Sequence, residues 1–579
     1  MPLGVTRSTV AYFSMEICLE QAIPTYSGGL GVLAGDTLRS AADLGVPLVA
    51  VTLLHRKGYF HQHLDDTGHQ TESPVSWSPE EVLERVDART TVTIEGRTVH
   101  VAAWRYSVRG VRGHEVPVFL LDTMLDENAE SDRHLTDTLY GGDEHYRLCQ
   151  EIVLGMGGAG MLQAIGYDAG VIYHLNEGHS ALLTLQLLER QLNGRAHYEL
   201  DDADLEAVRQ RCVFTTHTPV PAGHDKFPLE NVRAVLGDER VALLEGSGGV
   251  HEGMLNMTHL ALHLTRFVNG VAMRHRDVSR GMFPDYPINS ITNGVHATTW
   301  TGEGFAELFD RRIPEWRRDN LYLRYAVSIP LQEIREAHAQ SKAALIAEVK
   351  ARSGVALDPN VLTIGFARRA TPYKRADLIF SDVERLASIA RSVGRMQLVF
   401  GGKAHPHDGG GKELIRRIYA ADERLHGLVE VVYLENYEMA LAAKMVAGVD
   451  LWLNNPMKPL EASGTSGMKA AMNGVPSFSV LDGWWVEGHV EGVTGWSIGG
   501  PDAEDPSRDA LDLYIKLERV ILPLFYGLPF AYAEVMRSAI ALNGSFFNTQ
   551  RMVRQYVHNA YFPGDSLPSD VRIEETALL

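Results

Sequence analysis

The sequence predicts an α/β protein built from two facing, doubly wound domains with a ligand cleft between them. Short β-rich runs alternate with helical patterns, as expected of parallel strands joined by crossover helices. Runs such as "LVFGG" are apolar throughout, which suits strands covered on both faces of a sheet. The residues that look chemical follow the strands or open the helices, where doubly wound sheets bind ligands.

The second half shows the alternation most clearly. "VLTIGFA", "MQLVFGG", "LVEVVYLE", "LWLNN" and "VPSFSVLDG" read as strands between 361 and 483. "RADLIFSDVERLASIARS", "KELIRRIYAADERL", "YEMALAAKMVAGV" and "SGMKAAMNG" read as the helices between them. In the first half, "AYFSMEI", "VPLVAVTLLH", "VPVFLLDT", "GVIYHLN" and "RCVFTTHT" read as strands. Helical segments around 36–44, 145–165, 179–193 and 256–275 separate some of them. The resulting division is a first domain over 1–325, a joint near 301–340, a second domain over 340–540, and a strand-free tail, 541–579, packing back on the first domain.

Composition narrows the function. The chain has 579 residues, 45% of them hydrophobic and 22% charged, as in a globular protein with large cores. A net charge of −19 argues against non-specific nucleic-acid binding and makes local basic clusters the informative feature. Cys18, Cys149 and Cys212 lie far apart, offer no disulfide framework, and fit a reducing cytoplasm. No apolar run is long enough to span a membrane, and the N-terminal segment has no signal-peptide pattern.

Five places carry chemistry. In "EASGTSGMKAAMNG", Lys469 follows the small-residue run Ser463–Gly467 and stands eight positions after Glu461. Small residues let backbone N–H groups approach a ligand, and a lysine there holds an anion, bonds an aldehyde cofactor, or is a solvated lysine on a capped helix. In "RRATPYKRAD", Arg368, Arg369 and Lys374 follow a central strand and suit a phosphate, the alternative being a solvated helix start. The loop "YSGGLGVLAGD", with Gly28, Gly29 and Gly31, can approach an anion or sugar, or is a glycine turn. His217 and Asn293 end further strand-and-turn segments; either is also readable as purely structural.

Other motifs read as structure. "GMGGAG", 155–160, matches a dinucleotide pattern, with Glu177 at a suitable distance, but follows a helical pattern rather than a strand, so close packing is expected. His55, His61, His63 and His69, with Asp65 and Asp66, read as a polar loop more than as a metal site.

Taken together, these residues resemble the α-glucan (glycogen, starch or maltodextrin) phosphorylases, in their short prokaryotic branch. "EASGTSGMKAAMNG" is similar to the pyridoxal-phosphate lysine motif, "SGGLG" to the glycine loop and "RRATPYKR" to the phosphate segment; "GGKAHP", "LENYEMALAAKM", "NMTHLAL", "VNGVAMRH" and "TNGVHATTW" also match in order. The resemblance implies a GT-B fold of two Rossmann-like domains, pyridoxal 5′-phosphate as cofactor, and reversible phosphorolysis of an α-1,4-glucan by orthophosphate to α-glucose-1-phosphate with retention. It implies that Lys469 forms the Schiff base, and that Thr465, neighbouring amides such as that of Gly464, and Arg368 cradle the cofactor phosphate. Trp300 would pack near the cofactor. Arg369, Lys374, Gly28 and Gly29 would hold orthophosphate, while Tyr373, Glu461, Ser463, His217 and Asn293 would take glucose hydroxyls. A cytoplasmic homodimer is the family's usual form. Three positions depart from the pattern: Glu438 stands for an arginine, Thr371 for a histidine, and "SGM" for "GNM" before the lysine.

Two other readings share the fold. A nucleotide-sugar glucan synthase would want a ribose-binding carboxylate at position 469, where an ammonium accepts no hydrogen bond. A non-catalytic glucan-binding protein would be marked by loss of Lys469, Arg369 or Lys374, all of which are present.

Overall fold

The computed structural model describes residues 8–563 except 169, 426 and 501–504. The last sixteen positions of the tail, 564–579, therefore lie outside the described residues, as do 1–7 at the start of the first domain.

Two large sheets organise the chain. The second contains six parallel strands in the spatial order Val429–Leu434, Met396–Gly401, Leu362–Ala367, Leu451–Asn454, Ser477–Val480, Gly495–Ile498. In chain order that is 3-2-1-4-5-6, a doubly wound sheet whose direction reverses beside Leu362–Ala367. Its central strands are buried along their whole length, which explains their unbroken apolar runs.

The first sheet has nine strands. Seven are parallel, with Thr9–Phe13 between Leu48–Leu53 and Val171–Asn176, so this sheet also reverses at its first strand. Glu84–Ile94 and Arg97–Arg109 extend it as antiparallel edge strands. These two were not expected from the sequence: charged residues alternate with packed ones along Glu84–Ile94, and Arg97–Arg109 has only the short buried run Val101–Trp104 between charged ends. The 256–275 segment is also not one helix. Met257–His263 and Met273–Met282 are helical, but Phe267–Gly270 between them is a strand, paired with Cys212–Thr215 and Ile288–Ser290.

Both faces of the first sheet are covered. One face receives the π-helical turn and helix that contain Gly155–Gly160. A Cβ on Gly155 would lie 2.6 Å from Leu183 N, and one on Gly158 2.6 Å from Phe13, so these glycines serve close packing. The other face packs against helix Gly29–Leu44 and against Met552, Val553, Tyr556 and Tyr561 from the far end of the chain. Tyr561 and Tyr556 close a buried network there: His174 Nδ1 lies 2.6 Å from the Tyr561 hydroxyl, and Tyr556 hydrogen-bonds Thr215 and Asn269 at 3.0 Å each.

Helix Leu331–Ser353 joins the halves and is pinned to the second sheet by a buried carboxylate. Asp450 accepts from Lys342 Nζ at 2.6 Å and Thr363 N at 2.7 Å, and its other oxygen lies 2.8 Å from His338 Nε2. A hairpin, His61–Leu64 with Gln70–Ser73, crosses from the first half onto the second. Gln62 and Asn436 exchange two backbone-to-side-chain hydrogen bonds, and Gln62 and Gln70 donate to the carbonyls of Gly402 and Ala404. No described helix is long and apolar enough to cross a membrane.

Removing the charge that neutralises Lys342 leaves a buried, unpaired ammonium. Asp450→Asn is expected to destabilise the protein by about 3–5 kcal/mol, read as a lower thermal unfolding midpoint; an unchanged midpoint would show that the pair does not pin the helix.

Candidate active site

The carboxyl ends of the two sheets face one cavity of about 1130 Å³. Gly28, Gly29, His217, Asn293, Trp300, Arg368, Arg369, Tyr373, Lys374, Glu461, Ser463, Gly464, Thr465 and Lys469 all line it, whereas Gly31 of the glycine loop and Thr371 do not.

The cationic wall comes from the chain leaving strand Leu362–Ala367. Arg368 N bonds to Gly401 O and Ala370 N to Lys403 O, which holds this segment against the next strand's end. Gly402 is required there: its φ is +136°, and a Cβ would lie 1.8 Å from Arg368 O. Arg368 Nη2 and Lys374 Nζ both donate to Glu461 Oε2 at 2.5 Å. Burial alone would raise Glu461, but Arg368 and Lys374 bring it down to about 2. Burial, then the neighbouring Arg368, pull the Lys374 ammonium well below the ordinary lysine range. Arg369 pairs with no carboxylate among the described residues, and Arg368 Nη1 is buried without a partner. Arg368 and Lys374 therefore share a single carboxylate while Arg369 has none, and an anion in the cavity would balance them.

Lys469 reaches the cavity from helix Ser466–Met472. Its Nζ lies 3.7 Å from the centroid of the Trp300 ring and makes no hydrogen bond or ion pair among the described residues. Trp300 is fixed by its Nε1, which donates to Asp36 Oδ2 at 2.7 Å. Burial lowers Lys469 to about 8, with Asp36 pulling the other way. The turn before the helix is shaped by Gly464, at φ +76°, and by Gly483, where a Cβ would lie 2.3 Å from Ser463 O. Ser463 Oγ is buried without a partner, and Thr465 caps none of the helix N–H groups with its side chain. A buried amine without an acid partner, two hydroxyls without a bond inside their own turn, and a free guanidinium edge fit an aldehyde-bearing phosphate such as pyridoxal phosphate.

The first-domain wall is polar and carries carboxylates, Glu16, Asp143, Glu144, Glu177 and Asp225, beside neutral groups. His217 Nε2 lies 2.7 Å from Asn176 Oδ1, and burial lowers its pKa to about 3, so it is a neutral hydrogen-bonding group near neutral pH. Asn293 is buried, and its Oδ1 has no partner. A Cβ on Gly29 would meet nothing within 4 Å, and one on Gly28 would come no nearer than 3.5 Å to Arg369. The protein itself thus leaves room at this loop for a ligand.

Several residues of the site were not singled out as binding groups by the sequence. Glu16, at the end of "AYFSMEI", ties the base of the glycine loop: it accepts from Ser27 N at 2.6 Å, Gly28 N at 3.2 Å and the Tyr140 hydroxyl at 2.9 Å. Glu177, weighed only as part of a dinucleotide pattern, lines the cavity in a rare conformation, φ +76°, accepting from His217 N and Thr218 Oγ1. Glu177 immediately follows a strand and Glu16 stands three residues after one, which is the signal that could have found them. Asp36, beneath Trp300, sits inside a helix and gave none. Of the departures from the family pattern, Glu438 lines the cavity 3.4 Å from Arg352, and Thr371 Oγ1 is buried without a partner. The histidines of 55–69 do not converge: His55 is buried against Met15 O at 2.8 Å, and His63 lies on the crossing hairpin. No group of three or more His, Cys, Asp or Glu among the described residues is placed to hold a metal ion.

Comparison with known proteins agrees with this geometry. The family pattern described as carbohydrate phosphorylase matches residues 238–493. The chain is 40% identical over 600 residues to a maltodextrin phosphorylase of Thermococcus litoralis, covering 95% of this chain and 70% of the relative. It is 38% identical over 626 residues to a glycogen phosphorylase of Mycobacterium tuberculosis, covering 96% and 71%. A glycogen phosphorylase of Aquifex aeolicus is 36% identical over 618 residues, covering 96% and 86%.

If the excess positive charge is an oxyanion site, Arg369→Ala should weaken sulfate or orthophosphate binding by about ten-fold or more, the worth of one charge-assisted hydrogen bond. Because Arg369 pairs with no carboxylate, its loss should leave the thermal midpoint nearly unchanged; calorimetric titration with each anion checks both parts.

Proposed function

The chain belongs to the carbohydrate phosphorylase family, and we propose that its cleft uses pyridoxal 5′-phosphate to cleave the non-reducing-end glucose of an α-1,4-glucan with orthophosphate, reversibly and with retention. Its activity is that of an α-glucan phosphorylase. One observation carries the cofactor and the phosphate together. A lysine with no acid partner, two cations on one carboxylate and a third cation with none open onto the same cavity.

Each residue then has a physical task. Lys469 would hold the cofactor through its aldehyde carbon, with Trp300 packed beneath the amine; Thr465, the backbone at Gly464 and Arg368 would take its phosphate. When bound, the cofactor supplies a phosphate whose second ionisation near pH 6 suits proton exchange with orthophosphate at cellular pH. Arg369, Lys374 and the Gly28–Gly29 backbone would hold orthophosphate, lowering the repulsion between two neighbouring dianions. Glu461 keeps Arg368 and Lys374 in place through one shared oxygen and leaves its other oxygen for a sugar hydroxyl. Asn293, His217, Tyr373 and Ser463 would take the remaining hydroxyls, with the unpartnered Asn293 Oδ1 and Ser463 Oγ facing bonds still to be made. Orthophosphate so held would protonate the glycosidic oxygen and attack the anomeric carbon from the same face. No pair of enzyme carboxylates is required, in contrast to glycoside hydrolysis.

Borohydride reduction of the holoenzyme should leave a pyridoxyl group on the Lys469 peptide, and Lys469→Ala should abolish both the label and phosphorolysis. Absence of the label from cofactor-saturated protein would sink the proposal. Capture of the free aldehyde by cofactor-stripped protein requires the neutral amine. With Lys469 lowered to about 8, the capture rate should rise with pH and level off just above 8, instead of near 10.4 as for an ordinary lysine. The sign for stability follows: the cofactor-free fold gains stability as pH rises between those two values, because only the unfolded lysine still binds a proton there.

A further inference from the structure

We propose that Arg551, from the last described helix of the chain, is a positioning residue for the sugar-binding loop at Asn293. Its guanidinium reaches across to two consecutive carbonyls of that loop: Nη1 donates to Thr292 O at 2.6 Å and Nη2 to Asn293 O at 2.8 Å. Nε donates to Phe546 O at 2.9 Å and Nη1 also to Gln555 Oε1 at 2.9 Å, so the fork is fixed from its own side. No carboxylate pairs with it among the described residues; its bonds go to neutral acceptors. A planar fork can span two adjacent carbonyls, whereas a lysine ammonium offers a single point.

The loop has few other restraints at this position. Asn293 N bonds to Val271 O, and Thr292 Oγ1 donates to Glu487 Oε2 at 2.7 Å. Beyond it the same distal segment takes over: Val295 N bonds to Phe547 O, Thr549 N bonds to Val295 O, and a Cβ on Gly294 would lie 2.3 Å from Asn548. The backbone then continues to His296, whose N–H bonds to Asp36, and to Trp300 beneath Lys469. Arg551 therefore sets the one stretch of this strap that carries a cavity-facing amide. The Asn293 Oδ1, buried and without a protein partner, is the atom whose placement depends on it. The proposal rests on the reading above that Asn293 binds the transferred glucose.

The test uses holoenzyme and the chain-extension direction, with glucose-1-phosphate as the varied substrate, orthophosphate release as the signal and thermal midpoints measured in parallel. Variants are Arg551→Gln, Arg551→Lys, Asn293→Ala, the Arg551→Gln/Asn293→Ala double variant, and Gln550→Ala. The last is a docking control in the same helix, since Gln550 accepts from Asn320 N at 3.0 Å and does not touch the loop. Arg551→Gln should lower kcat/KM for glucose-1-phosphate by up to about 100-fold while the KM for glucan stays put, and Arg551→Lys should recover only part. In the Asn293→Ala background the same change should cost no more than about two-fold. Gln550→Ala should lower the midpoint but keep kcat/KM. Equal losses from Arg551→Gln in both backgrounds, or parallel losses from Gln550→Ala, would overturn the proposal in favour of simple tail docking. Wild-type constants for Asn293→Ala would overturn the sugar-binding reading of Asn293 instead, and the proposal with it.

Discussion

Crowded positive charge is the constraint on which this structure depends. Arg368, Arg369, Lys374 and Lys469 face one cavity that offers Glu461 as the only carboxylate bonded to any of them among the described residues. Two like charges 4 Å apart repel by about 4 kcal/mol at the effective dielectric of a protein surface. The protein has two ways to relieve this. It can let Lys374 lose its proton, toward which burial and then Arg368 push it, or it can bind anions; Lys469 is lowered by burial instead. On the proposed reading, a site poised between these states would suit phosphate, because each bound phosphate oxygen would restore charge balance.

The scaffold holds this charge without enclosing it in counter-ions. The cationic segment is braced by backbone bonds to Gly401 and Lys403, and the loop behind them is braced by glutamines of the crossing hairpin. Trp300 and Asp36 perform the matching task under Lys469. In each case a neutral or distant group fixes the position while the charged atoms stay available to a ligand. The glycines fall where backbones must touch: Gly402 against Arg368 and Gly483 against Ser463 admit no side chain.

How much of this the sequence disclosed follows from how local each signal is. The second sheet was legible because its strands are apolar on both faces and alternate with helices. The antiparallel strands Glu84–Ile94 and Arg97–Arg109 were not, because charges break up the first and leave the second only the short run Val101–Trp104. Phe267–Gly270 was hidden by its brevity between two helices. Among site residues, the cations stood out because three of them follow a central strand within a few positions. Glu16 and Glu177 occupy similar places but singly, and a lone acid after a strand carries no pattern of its own. Asp36, Gln62, Gln70 and Arg551 act only through partners distant in sequence, so no local pattern betrays them.

The contribution of the distal helix to the first sheet also fixes an order of events in time. Ser40 and Thr549, whose hydroxyls meet at 2.6 Å, stand 509 positions apart. At ribosomal speeds of about 5–20 residues per second, roughly 25–100 s separate their synthesis. Throughout that interval the face awaiting Met552, Val553, Tyr556 and Tyr561 is an uncovered apolar surface on a nascent chain, the kind of surface that chaperones shield. The second sheet, by contrast, draws its strands from 362–498 and can close first. The catalytic cleft is therefore completed backwards: the later-made half becomes whole while the earlier-made half still waits for its final helix.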